Sequence, residues 1–100
     1  MIPITRETIR TVVQPDKMIF IYTPFCGTCH LARRILEEIE EASNGAVIFY
    51  ELNAGLFPEV MQQERIESVP CLLMTNNGEP SKIYSFESLG KLNNLLHSNR

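Results

Sequence analysis

No apolar run in the sequence approaches the roughly 20 residues of a membrane span, which argues against a membrane protein. Positive charge is not in excess either. Nine Lys and Arg stand against twelve Asp and Glu, a net charge of −3, so no basic surface points to nucleic acid. The start, Met1-Ile2-Pro3-Ile4-Thr5-Arg6, lacks a charged segment followed by an apolar one, and no secretory leader is expected. Cysteine is scarce: three, an odd number, cannot complete a disulfide framework. These absences predict a cytosolic protein, in a compartment that keeps thiols mostly reduced, with one working pair and one spare thiol. No repeats, linkers or low-complexity segments interrupt the chain. What is present, 44% apolar and 21% charged residues over 100 positions, is the balance of one globular domain over residues 1–100.

The chain is organised around Phe25-Cys26-Gly27-Thr28-Cys29-His30. An apolar run, Met18-Ile19-Phe20-Ile21-Tyr22, precedes it and a helical pattern follows. That context is a strand, a turn carrying two cysteines, then a helix, the setting of a C-x-x-C redox motif. The first thiol would sit at a helix N-terminus, where unpaired N–H groups and the helix dipole favour a thiolate. The second lies one turn further in, close enough to close a small disulfide ring. Three other readings stay open. C-x-x-C-H is also a haem-attachment signature, but that chemistry needs export, and a β-branched, aromatic strand is a poor setting for a small cytochrome. Cys26, Cys29, His30 and Cys71 could hold zinc, though a second closely spaced ligand pair is missing. The cysteines could also be structural.

The remaining elements follow from periodicity. Ile2-Pro3-Ile4 suits a short edge strand with Pro3 on its unpaired side. Thr5 suits an N-cap for a helix over Arg6 to Val13, ended by Gln14-Pro15-Asp16. Lys17 to Thr23 is continuously apolar and predicts a central strand buried on both faces. From Cys29 to Ser43 the period is 3.6, with Leu31, Ile35, Leu36, Ile39 and Ala42 inward and Asn44-Gly45 as the stop. Arg33 and Arg34 read as part of its solvated face, or as positive potential near the Cys26 thiolate. Ala46 to Leu52 is the next strand, in a right-handed parallel crossover. Pro58 to Arg65 is a weaker helix, with Val60, Met61 and Ile66 inward. Leu72 to Thr75, a turn at Asn76-Asn77-Gly78 and Lys82 to Ser85 form an antiparallel hairpin. Glu87 to His97 closes the chain as a helix with Leu89, Leu92, Leu95 and Leu96 inside.

In this order the chain resembles the thioredoxin family over essentially its whole length. The residues that carry the resemblance are the strand into Phe25-Cys26-Gly27-Thr28-Cys29, then Glu51-Leu52-Asn53, Ser68-Val69-Pro70 and the Asn77-Gly78 turn. The resemblance implies an α/β thioredoxin fold: a central four- to five-stranded mixed sheet with helices on both faces. It also implies a cis peptide before Pro70, beside the cysteine pair; X-Pro bonds permit it. Five departures stand out. Thioredoxins carry Trp at Phe25 and Pro at Thr28. They carry a buried Asp at Phe20, Lys at Glu51, and Gly near Tyr84 and Ser85. The buried Asp helps deprotonate the second cysteine in the family, so its replacement by Phe20 leaves the proton path open.

The resemblance implies thiol–disulfide exchange through a Cys26–Cys29 redox disulfide, on protein disulfides or small-thiol mixed disulfides. Cys26 would attack and Cys29 resolve. Gly27 completes the motif, and Phe25, Val69 and Pro70 would receive substrate. Thr28 would tune the thiolates; His30 reads as an exposed polar residue or as a charge that tunes them, and Glu51 either faces water near the strand end or replaces the missing Asp as proton acceptor. No cofactor or metal is implied; a thioredoxin-reductase-type flavoenzyme or a small thiol would recharge the pair, and a monomer is expected. The alternative is a binding or adaptor module on the same fold, or less readily a metal-binding protein. Cys71 reads as a small buried hydrophobe or a third redox thiol; on a strand, it would face the motif if Val69 does, or lie just beside it.

Overall fold

The computed structural model describes residues 1–12, 17–75, 80–87 and 89. Its elements in chain order are β1 (Ile2–Pro3), α1 (Ile9–Val12), β2 (Lys17–Tyr22), α2 (Gly27–Ala42) and β3 (Tyr50–Asn53). After a 3₁₀ turn, Ala54–Leu56, come α3 (Pro58–Gln63), β4 (Cys71–Thr75) and β5 (Ser81–Ile83). The strands form one mixed sheet in the order β1-β3-β2-β4-β5. β3 runs parallel to β1 and β2, while β4 runs antiparallel to β2 and β5. This is the α/β thioredoxin fold that the resemblance implied.

β2 lies in the middle because its apolar run has no polar side to show water. Ile19, Phe20 and Ile21 are all buried, on alternating faces. Ile19 and Ile21 join Leu52, Phe57, Val60 and Leu73 in one layer, and Phe20 joins Cys29, Ala32, Leu36, Leu72 and Phe86 in the other. β1 is an edge strand. Ile2 and Ile4 donate to the carbonyls of Phe49 and Glu51 at 3.0 and 2.8 Å, so Pro3 between them turns its missing donor outward. Asn44 and Gly45 both take positive φ, 54° and 89°, and stop α2 as their sequence predicts.

Several boundaries differ from the sequence expectation. β3 begins at Tyr50 rather than Ala46, because the end of α2 takes the preceding donors. Ala46 N bonds the Ser43 carbonyl, Val47 N the Ser43 hydroxyl, and Phe49 N the Glu40 carboxylate. The first helix is shorter than Arg6 to Val13; residues 6–8 form turns closed on Thr5, whose carbonyl accepts from Thr8 and Ile9. α3 ends at Gln63 and not Arg65, whose φ of 53° leaves the helical region. β4 begins one residue early, at Cys71, and β5 spans Ser81–Ile83 rather than Lys82 to Ser85. Leu31 is 55% exposed, not inward; the buried stripe of α2 is Cys29, Ala32 and Leu36. The expected turns at Gln14-Pro15-Asp16 and Asn76-Asn77-Gly78 lie outside the described residues. So does the last expected helix beyond residue 89, with Leu92, Leu95, Leu96 and His97.

Candidate active site

β2 ends at Tyr22, and the chain turns through Pro24 and Phe25 into α2. Cys26 is the N-cap of that helix. Its φ and ψ are −102° and 111°, and its Sγ accepts from the Cys29 N–H at 3.1 Å. This satisfies one of the helix's open donors and places the sulfur at the positive end of the dipole. Cys26 and Cys29 are joined as a disulfide, with Cα atoms 5.1 Å apart. Thr28 Oγ1 lies 3.3 Å from Cys26 Sγ. A disulfide sulfur has no proton, so the hydroxyl is the donor there. Cys26 is half-buried and Cys29 is 2% exposed.

The surroundings leave Cys26 open to attack from solvent. Phe25, one residue before the half-buried Cys26, is fully exposed, 100%. A Cβ on Gly27 would meet nothing within 4 Å, so that side of the motif is open space. His30 is exposed, and its N–H reaches the Cys26 carbonyl at 3.4 Å. The Val69–Pro70 bond is cis, as the resemblance implied. Val69 is half-buried against the layer that contains both cysteines. A shallow hollow of about 270 Å³ continues from Thr28 along Leu31 and Ile35 to Tyr84 and Phe86. Leu31 therefore borders the site instead of filling the core.

Two of the departures, Phe20 and Glu51, stand side by side on neighbouring strands. Phe20 is fully buried in the Cys29 layer, stacked 5.7 Å from Tyr22 and edge-on to Phe86 at 6.0 Å. Glu51 is the register partner of Phe20, so its side chain shares that face. Its carboxylate accepts from Arg33 Nη1 at 2.5 Å. Both side chains are largely shielded, 27% and 17% exposed. The Arg33 guanidinium also lies over the rings of Tyr22 and Phe20, 4.7 and 5.3 Å from their centroids. Arg33 is the residue that sequence reasoning missed as a partner of Glu51. The signal was available: Arg33 follows Cys29 by four positions and so shares its helix face.

Cys71 corrects an expectation. It does not face the motif. Its register partner is Ile21, so it enters the opposite layer with Ile19, Leu52 and Leu73, fully buried. Burial pushes its thiol up to about 11, against weaker lowering by a Tyr84 hydrogen bond, Lys82 and the Ile83 backbone. The four-residue zinc set is therefore not assembled, and among the described residues no three His, Cys, Asp or Glu side chains gather as metal ligands. Among the same residues no helix is long and apolar enough to cross a membrane.

Comparison with known proteins matches this arrangement. Residues 2–98 match the Thioredoxin family. The chain is 38% identical over 80 residues to the thioredoxin-like protein YusE of Bacillus subtilis (strain 168), covering 79% of this chain and 74% of that protein. It is 31% identical over 81 residues to the thioredoxin of Alicyclobacillus acidocaldarius subsp. acidocaldarius, covering 79% and 77%. The crystal structure of chloroplastic thioredoxin z superposes with a TM-score of 0.73 at 17% identity, covering 98% of this chain and 95% of that one, a likeness of fold. The chain belongs to the thioredoxin family, whose members with such a cysteine pair are generally disulfide oxidoreductases.

Proposed function

We propose that the protein reduces disulfides of proteins, or mixed disulfides of small thiols, through Cys26 and Cys29. The observation that carries this reading is the pairing of an accessible, helix-capping Cys26 with a buried Cys29 bonded to it. In the reduced protein the Cys26 thiolate attacks a substrate sulfur. The substrate S–S bond breaks, one sulfur leaves, and a mixed disulfide forms. The Cys29 thiolate then attacks Cys26 Sγ. The mixed disulfide breaks, the second substrate sulfur leaves as a thiolate and takes a proton, and the Cys26–Cys29 bond closes. Two electrons pass from the dithiol to the substrate. Proximity makes the second attack effectively unimolecular.

Phe25 offers an apolar contact, and the Val69 backbone before Pro70 offers a strand-like contact to an extended substrate. Gly27 keeps the approach open, and Thr28 and His30 tune the thiolates. The oxidised pair is recharged by a flavoenzyme of the thioredoxin-reductase type or by a small thiol. One working pair and one unpaired thiol, Cys71, suit a reducing compartment, and we assign the protein to the cytosol as a monomer.

Insulin reduction by dithiothreitol, with and without the protein, tests the reading. Faster precipitation supports it; the rate of dithiothreitol alone leaves a binding module on the same fold. Reduction of the protein by NADPH and purified thioredoxin reductase identifies the donor. Cys29→Ser should trap a mixed disulfide that Cys26→Ser does not. Iodoacetamide at neutral pH should label Cys26 first; labelling of Cys29 before it reverses the assignment.

A further inference from the structure

We infer that Arg33 is a positioning residue for the resolving thiol, supplying positive charge that favours the Cys29 thiolate, with the Tyr22 and Phe20 rings as its seat and Glu51 as a counter-ion that draws on the same charge. The inference rests on the redox reading of the pair and goes beyond it. Three observations carry it. Arg33 is one helical turn after Cys29 on the same face, the spacing at which side chains are neighbours. Its guanidinium is fixed from two sides, by the Glu51 carboxylate and by the Tyr22 and Phe20 rings. Phe20 belongs to the same buried layer as Cys29, and Tyr22 packs against that layer. The cation thus comes from Cys29's own helix and reaches over β2, while the carboxylate comes from β3, one strand further out.

This layer offers Cys29 few other charges. Its titratable neighbours among the described residues are Cys26 across the disulfide ring, Tyr22 on β2, and the Met1 ammonium, which is paired with Glu40 of α2 at 3.1 Å. Leu72, Met74 and Ile83 from β4 and β5 are apolar, as are Phe86 and Leu89. Glu87 and Tyr84 border α2 at the hollow, and His30 is exposed to solvent. Phe20 can accept no proton. Glu51 is already committed to Arg33, so a stabilised thiolate needs no dedicated base: the proton that Cys29 gives up balances the one taken by the leaving substrate thiolate.

The test needs no substrate. Titration of the ¹³Cβ shifts of the three cysteines in the reduced protein locates each thiol separately. Arg33→Gln should raise the Cys29 pKa by about one unit, the lower end of what a close charge supplies. Arg33→Lys should restore most of the shift. Glu51→Gln keeps the ring contacts of Arg33, removes the carboxylate that offsets its charge, and should lower the Cys29 pKa. Stopped-flow resolution of a mixed disulfide at neutral pH should slow about three- to tenfold in Arg33→Gln, because lost thiolate is partly offset by its greater nucleophilicity. Resolution should quicken in Glu51→Gln, where a general base would slow it. An unmoved Cys29 titration in Arg33→Gln overturns the inference. So does an upward shift or slower resolution in Glu51→Gln, a variant that keeps the test open if Arg33→Gln does not fold. A wild-type protein that fails to reduce insulin would sink the redox reading, while the titrations would still decide the role of Arg33.

Discussion

Cys29 and Cys71 are both almost wholly buried, on opposite faces of one sheet, and their surroundings could hardly differ more. Cys29 lies in the first turn of α2, bonded to Cys26, with Arg33 one turn away. Cys71 lies at the start of β4 among Ile and Leu side chains, its thiol pushed up to about 11. Burial by itself makes a cysteine a small hydrophobe. Reactivity comes from what burial is combined with: a helix N-terminus, a second sulfur within reach, and a cation on the same face. On the proposed reading, one face of the sheet serves exchange and the other packing.

The comparison breaks most sharply on activity. Cys26→Ser should reduce insulin turnover to that of dithiothreitol alone, whereas Cys71→Ala should retain turnover. Loss of activity in folded Cys71→Ala would mean that the packing face takes part in the chemistry.

Stability at high pH sharpens it next. The Cys71 thiol holds its proton to about 11, against an ordinary value of 9.0. Above pH 9 the unfolded chain releases this proton and the folded chain keeps it. Stability present below pH 9 is then lost as the pH rises toward 11, by on the order of 1–2 kcal/mol. Urea midpoints of wild type and Cys71→Ala at pH 8 and pH 10.5 isolate that share. The mutant should show the smaller loss, and equal losses would remove Cys71 from the account.

Thr28 gives a smaller effect on the reactive face. Its hydroxyl reaches Cys26 Sγ, and its backbone N–H is one that Pro would lack. Thr28→Pro should lower the reduction potential, by up to roughly 30 mV for about 1.4 kcal/mol of lost thiolate stabilisation. Equilibration against glutathione measures it, and an unchanged or raised potential refutes the hydroxyl's role.

The smallest effect lies on the packing face. Arg6 stacks on Phe57 at 4.4 Å and pairs with Glu59, and its guanidinium holds the Glu59 carboxyl below the ordinary value. A lowered carboxyl contributes stability above its unfolded pKa and loses it as the pH falls through the folded one. Arg6→Ala should flatten the acid limb of the melting temperature between pH 6 and pH 3, though only slightly, since Glu59 is exposed and screened. An identical acid limb would leave the pair without a measurable role.

The sequence by itself determined what depends on neighbours along the chain. The continuous apolar run at Ile19, Phe20 and Ile21 could only be a strand covered on both faces. Cysteines three apart after that strand could only place one sulfur at a helix end and the other inside it. Asn44-Gly45 could take the positive φ that stops the helix. These outcomes rest on periodicity, capping and backbone sterics, all of which act within a few residues. The tertiary structure decided what depends on register and on distant partners. Cys71 fell on the far face because it pairs with Ile21 and not with Phe20, and one residue of slip reverses every side chain of a strand. β3 began late because Glu40 and Ser43 had already taken the donors before it. Arg33 met Glu51 because α2 crosses over β2 to the strand beyond, joining residues that share no local pattern. A side chain's partner across the fold is set by where whole elements land, and that is a property of packing.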